Sequence, residues 1–338
     1  MRKVRIAGVL FLCAAGIFLT SCGRIHRREE TRRAPDYVFT YAENQAEDYP
    51  TTLGAYKFAE LVNERTGGRI EILVNAGGSL GDERTVIEQM QFGGIDFARV
   101  SLSPLAGVVP KLDVLQMPFM YTSSDHMWKV LDGEIGDDFL NSFDGSGLTA
   151  LAWYDAGARN FYSSKRPIEK LEDMKGLKVR IQQSALMNRM IEVLGATPVQ
   201  TPFDEVYSSF QTGEIDAAEN NWASYESQHH YEVAGYFTLD EHTRVPELQI
   251  ASRVTWDKLT PEDQEIIRSC ARDSAVYERQ LWTNRARASE TRVRSKGCTV
   301  IELSEQEKAR FRDAMVPVYK EFCAEYMDIV DAIEAAGR

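Results

Sequence analysis

From Tyr37 onward, short apolar runs of period two alternate with stretches of helical period, and this exchange confines the chain to the α/β class. YVFTYAE (37–43) alternates as a strand does. TTLGAYKFAELVNERTGG (51–68) then carries a helical stripe of Leu53, Tyr56 and Leu61 and stops at Gly67-Gly68. RIEILVN, DERTVIEQMQFGG and IDFARVSL follow as strand, helix and strand. After a longer helix expected near 124–142, the alternation resumes with LTALAWYDAG and ARNFYSS, then LKVRIQ, SALMNRMIEVLG, TPVQTPF, FDEVYSSFQTG and IDAAENN. Short loops between such elements predict two α/β units on largely parallel sheets, and 338 residues suffice for two cores. The last third breaks the pattern. Residues 261–296 hold no Pro or Gly after Pro261 and predict one very long helix, followed by a strand, CTVIEL, and a terminal helix from about Ser304.

The N-terminus reads as an address. Arg2, Lys3 and Arg5 precede an uncharged stretch, Ile6 to Thr20, that is too short to span a bilayer comfortably. It ends in Leu19-Thr20-Ser21-Cys22, which resembles the bacterial lipobox, whose cysteine is lipid-modified and becomes the new N-terminus. Residues 1–21 are therefore expected to be a lipoprotein signal peptide and Cys22 the anchor. Residues 22–36 are expected to form an Arg-rich tether that can lie near anionic headgroups. The expected location is outside the cytoplasm, lipid-anchored to the outer face of the cell membrane or periplasmic.

Charge narrows the partners. The formal net charge of −12 averages two unequal parts: residues 1–33 hold eight basic and two acidic side chains, and the remainder holds 31 basic against 49 acidic, a net of −18. Nucleic acid is excluded as a partner, because binding it requires neutralising phosphates. Beyond Cys13 and Cys22 there remain Cys270, Cys298 and Cys323, an odd number without CxxC spacing. Cys270 and Cys323 lie on helical patterns where a buried thiol is expected, and no structural metal site or cofactor is predicted.

Four segments could carry chemistry. Gly77-Gly78-Ser79-Leu80-Gly81 matches GxSxG between a predicted strand and helix, where a hydrolase would place a nucleophile, with His126, His229, His230 and His242 downstream. Against it, the strand ends near Asn75 and no HGGG-type oxyanion segment is present. In Leu177–Gln182 the apolar residues occupy one face, and Lys178, Arg180 and Gln182 the other. That face meets either a wet cleft, where a guanidinium fork would grip a carboxylate, or open solvent at a sheet edge. Arg159, Asn160 and Phe161 join a second arginine to aromatics as a pocket floor would. Asn220-Asn221-Trp222 falls at a strand end, where α/β proteins place ligand contacts, though paired Asn before Trp also reads as a cap and a packing anchor.

Taken in order, several segments resemble the extracytoplasmic solute-binding subunit of a TRAP (tripartite ATP-independent periplasmic) transporter of the DctP type. They are FAELVNERTGGRIEI (58–72), GGSLGDERTVIEQMQFGGIDFARVS (77–101), LDVLQMPFMY (112–121), ARNFYSSKRPIEKLEDMKGLKVRIQ (158–182), LGATPVQTPFDEVYSSFQTGEIDAAENN (194–221) and PELQIAS (246–252). The resemblance spans roughly residues 36–325. It implies a two-lobe periplasmic-binding-protein-like fold with crossing strands and a long helix spanning both lobes. Lobe I is then 37–154 with about 244–285, and lobe II is 155–243 with about 286–338. It implies a non-enzymatic monomer that hands its ligand to membrane permease subunits. Arg180 is implied to pair with the ligand carboxylate, Arg159 to be a second cationic contact, Asn220 to help hold the carboxylate, and Phe203 to form an aromatic wall. The GGSLGDE loop carries no nucleophile in that family, which counts against a secreted hydrolase using Ser79.

Within the family, AENQAEDYP, FARVS, AENNWASYES and DEHTRVPE resemble binders of sugar acids, hexuronates such as glucuronate and galacturonate. A polyol acid needs acceptors and amides for its hydroxyls besides a carboxylate clamp. Glu43, Asn44, Glu83, Arg99 and Asn221 are the candidates. A dicarboxylate or keto acid is the alternative ligand class. Tyr49 stands where many relatives have histidine, so that side of the pocket is expected to differ.

Overall fold

A computed structural model describes residues 34–337. The expected signal peptide (1–21), Cys22 and the tether up to residue 33 lie outside the described residues. Among the described residues, no helix is long and apolar enough to cross a membrane.

Eleven described strands form two sheets: β1 (Tyr37–Ala42), β2 (Ile70–Asn75), β3 (Phe97–Ser101), β4 (Leu148–Tyr154), β5 (Ala158–Ser163), β6 (Lys178–Ile181), β7 (Thr197–Gln200), β8 (Ala217–Asn220), β9 (Tyr236–Arg244), β10 (Glu247–Ser252) and β11 (Thr299–Glu302). One sheet has the order β2-β1-β3-β10-β4, and the other β11-β9-β5-β8-β6-β7. Strands β1–β3 pair in parallel through βαβ crossovers, as do β6, β7 and β8. The expectation of largely parallel sheets is corrected in each: β10 runs antiparallel to both β3 and β4, and β5 antiparallel to both β8 and β9. These are the strands that follow the two crossings between the sheets, at 155–157 and 245–246. A strand arriving from the other sheet enters against the local direction. Local periodicity shows that elements alternate but not which neighbour each one joins.

Two helix boundaries also differ from expectation. The segment near 124–142 is two helices, Ser124–Leu131 and Glu134–Leu140, separated by Asp132-Gly133, with Gly133 in an extended conformation. Glycine interrupts a helix readily because it gains little from helical backbone. The terminal helix begins as expected after Ser304, whose side chain accepts the Glu307 N–H, but it divides into Glu305–Ala314, Val316–Phe322 and Met327–Ala336. Pro317 sits in the first turn of the second piece, where its missing N–H is tolerated.

The long helix, Pro261–Ser295, is continuous over 35 residues, roughly 50 Å. Thr260 accepts the Asp263 N–H, Pro261 opens the first turn, and Arg292 and Arg294 complement the carbonyl end. Its N-terminal half buries Ile267, Cys270, Ala271 and Ala275 beside Phe58 and Tyr154 of the first sheet's core. Its C-terminal half buries Val293 with Tyr162 and Phe237 of the second. Cys270 and Cys323 are buried free thiols, and Cys298 is half-buried.

The helix Pro50–Arg65 meets the long helix at Gly54. A Cβ there would stand 2.8 Å from the Tyr154 ring and 3.0 Å from Glu278 Cβ. Gly54→Val should therefore cost about 1–3 kcal/mol of stability, read as a lower urea midpoint. An unchanged midpoint would contradict this packing.

Candidate functional site

Between the two sheets lies a cavity of about 360 Å³, within the size range of small-ligand sites. Its walls differ in charge.

On the side of the six-stranded sheet, Arg180 extends from β6 and is only 2% exposed. The open-solvent alternative for its face fails because β6 has β8 on one side and β7 on the other. On this face Arg180 and Gln182 line the cleft, whereas Lys178 donates to the Gly213 carbonyl. Nε and Nη2 both donate to the Thr201 carbonyl, at 2.9 and 2.7 Å, while the buried Nη1 has no partner. Burial, with Arg159 nearby, holds this guanidinium below its usual value. A buried cation with an unfilled donor is costly unless an anion joins it.

Arg159, on β5, also lines the cavity but is already paired. Its Nη2 donates to Glu219 Oε1 at 2.8 Å and to the Glu219 carbonyl at 3.0 Å, and its Nε donates to Glu219 Oε2. Only Nη1 stays outside this pairing. Asp240 in turn bonds His242 Nδ1 at 2.8 Å, and His242 Nε2 lies 3.7 Å from Glu219, with the imidazole stacked on Phe161. Burial alone would raise the Glu219 carboxyl, but Arg159 and His242 hold it at about 2. Burial would lower His242, yet Asp240 and Glu219 push it up to about 9. Glu219 and Asp240 were not singled out from the sequence as site residues, and His242 only as one of four histidines downstream of Ser79. The available signal was Asp240-x-His242, two positions that share one face of a strand.

Asn220 ends β8 with Oδ1 accepting the Asn221 N–H at 2.8 Å, so Nδ2 is the amide atom left for a ligand. Asn221 lines the same cavity, but its Oδ1 caps the helix Trp222–Ser227 through Ser224 N–H at 2.7 Å and also accepts from Tyr49 at 3.4 Å. Trp222 is a packing anchor, stacked on Phe237 at 3.9 Å. Phe203 lines the cavity from a single turn after Pro202.

On the side of the five-stranded sheet, Arg99 of β3 is 3% exposed and wholly consumed by acceptors. Nη1 donates to Glu83 at 3.0 Å and to Glu247 at 2.8 Å, Nε to Glu43 at 3.0 Å, and Nη2 to Glu43 and Asn44. Two expectations are corrected here. Arg99 has no N–H left for a ligand hydroxyl, and Glu43 does not line the main cavity but holds Arg99 and the Gln45 N–H. Asn44 and Glu83 do line it, together with Glu247, which was not singled out although it lies in PELQIAS. Burial, then Glu247 and Glu43, push Glu83 up to about 7 against the pull of Arg99, and burial likewise raises Glu247.

The side of the pocket holding Tyr49 is closed by contact: its hydroxyl bonds Ser224 at 2.9 Å and its ring meets Trp282 edge-on. Ser79 is exposed in a turn where Gly77 and Gly78 take φ of 70° and 71°. The turn hydrogen-bonds to the carbonyls of Gln45 and Glu43, which fixes the segment carrying Asn44. The described histidines bond elsewhere: His126 to Thr122 and the Ile333 carbonyl, His229 to Tyr231, His230 to Tyr162, and His242 to Asp240. The turn builds a wall and lacks a serine–histidine pair.

Fold and cavity together define a two-sheet solute-binding protein with an interior cavity. The chain belongs to the bacterial extracellular solute-binding proteins of family 7, the DctP family, whose model matches residues 41–326. It is 40% identical to a TRAP periplasmic solute-binding protein from Bradyrhizobium sp. BTAi1 solved with α/β-D-galacturonate, with a TM-score of 0.86 over 88% of this chain and 100% of that one. A counterpart from Pseudomonas putida F1 with bound D-glucuronate is 36% identical, with a TM-score of 0.86 over 88% and 97%. A solute-binding protein of Chromohalobacter salexigens is 37% identical over 281 residues, 83% of each chain.

The buried imidazolium gives a pH prediction. His242 is raised from 6.5 to about 9 in the folded chain, so its contribution is complete below about 6.5 and is lost as pH rises through 9. The thermal midpoint should fall more steeply between pH 6.5 and 9 in the unaltered protein than in His242→Gln. Parallel profiles would contradict the charge chain.

Proposed function

We propose that this chain is the extracytoplasmic receptor of a TRAP transporter that captures a hexuronate by its carboxylate and delivers it to the membrane permease. The observation that carries the reading is the unpartnered Nη1 of buried Arg180 facing a ligand-sized cavity, with Asn220 Nδ2 as the neighbouring donor. The relatives solved with galacturonate and glucuronate, at 36–40% identity, support the ligand class. Arg159 acts chiefly as the partner of Glu219, lending Nη1 and positive potential to the same anion. The protein is a carrier and catalyses no reaction.

Binding is coupled to closure. Lobe I (37–154 with about 244–285) and lobe II (155–243 with about 286–338) pivot about the two crossings and the long helix, and ligand shifts the open–closed balance. Tyr49 meeting Ser224 and Asn221 joins the lobes in the closed form. Cys22 carries the lipid that keeps the receptor near its permease.

Calorimetry tests the clamp. D-glucuronate or D-galacturonate should bind the unaltered protein. Arg180→Ala should lose about 2–5 kcal/mol, tens-fold or more in Kd, and Arg180→Lys should also weaken because the planar fork is lost. Equal affinity in Arg180→Ala would overturn the assignment. Cys22→Ser, expressed with its own leader, should move from the membrane fraction to the soluble exported fraction, and an unchanged distribution would contradict lipidation.

A further inference from the structure

The wall around Arg99 has chemistry opposite to that around Arg180, and the contrast limits which acids the cavity takes. A guanidinium has five N–H bonds. All five of Arg99 are engaged, two by Glu43 and one each by Glu83, Glu247 and Asn44. What remains toward the cavity is acceptor-rich. Glu83 uses Oε1 for Arg99 and the Ser101 N–H, and Glu247 uses Oε2 for Arg99, so Glu83 Oε2 and Glu247 Oε1 take no part in these bonds. Asn44 keeps its amide N–H₂. Within this buried cluster three carboxylates stand against the one guanidinium of Arg99; the exposed Arg84 also lines the cavity, with Glu88 3.9 Å away, whereas Arg180 offers an unfilled donor on the other side.

We infer that the Glu83–Glu247 wall is a filter against a second carboxylate: the site accepts hydroxyl hydrogens there and selects acids charged at one end only. The inference rests on the hexuronate reading and adds its limit. A sugar hydroxyl donates to a carboxylate oxygen, but a second carboxylate has no hydrogen to donate and finds no free N–H on Arg99. It would also add negative charge beside two acids already in excess, where like charges cost far more than in water. The upward shift of the Glu83 carboxyl to about 7 reflects burial first and then that excess. Rejection by an unmet hydrogen bond and an unpaired charge discriminates far more sharply than a small change of shape. Aldarates, which carry carboxylates at both ends of a hexose chain, and short dicarboxylates are therefore excluded, while uronates and aldonates are admitted.

The test is calorimetric titration of the exported protein at pH 8 with D-galacturonate, D-galactonate and galactarate. Galactonate and galactarate share an open chain and differ in having one carboxylate or two, so the pair separates charge from ring shape. Galacturonate should bind, and galactonate should bind at least tenfold more tightly than galactarate. In Glu247→Gln, which removes one charge and keeps an acceptor, the galactarate deficit should shrink by about tenfold. Equal affinities for galactonate and galactarate, or equal failure of both beside tight galacturonate, would overturn the filter while leaving the hexuronate reading intact. Binding of galactarate without galacturonate, or of none of the three, would overturn that reading and the filter with it.

Discussion

The buried guanidinium of Arg180 is the constraint around which the rest of the site is arranged. Two of its nitrogens are fixed by one carbonyl, that of Thr201, and the third is enclosed without a partner. Leaving such a charge half-satisfied in a low-dielectric interior costs several kcal/mol. Arg159 and Arg99 are equally buried but carry their own counter-charges, Glu219 in one case and Glu43, Glu83 and Glu247 in the other. Of these three cavity-lining arginines, Arg180 is the one bonded to a carbonyl and not to a carboxylate. The strongly acidic body opposes any anion at long range.

The fold produces this arrangement by bringing strands from two sheets to one cavity. Arg180 comes from β6 and Asn220 from the last position of β8, while Arg99 comes from β3 and Glu247 from the first position of β10. Strand β10 reaches the first sheet only because the chain crosses back from the second. The crossing that makes the sheets mixed also delivers an acid to the pocket. The long helix spans both cores, so the geometry of the cleft depends on few moving parts.

Much of this was legible in the sequence because it depends on local pattern. Period-two runs and capped helices placed the strands and most helices, and the one-sided polarity of Leu177–Gln182 marked Arg180. What stayed hidden depends on partners distant in sequence. Nothing local reveals that Arg99 is consumed by Glu83 and Glu247, 16 positions before and 148 after it, or that Glu43 sits behind it. The same holds for Arg159 and Glu219, which meet across the antiparallel pairing of β5 with β8. A charged residue read alone looks free to bind a ligand; only the folded chain shows which charges are already neutralised.

The orientation of the ligand is the central claim, and a crystal structure of the complex with D-galacturonate tests it most directly. The account predicts the C6 carboxylate within hydrogen-bond distance of Arg180 Nη1 and Asn220 Nδ2, with ring hydroxyls toward Glu83 and Glu247. A carboxylate seated instead against the Arg99 cluster, with hydroxyls on Arg180, would contradict it.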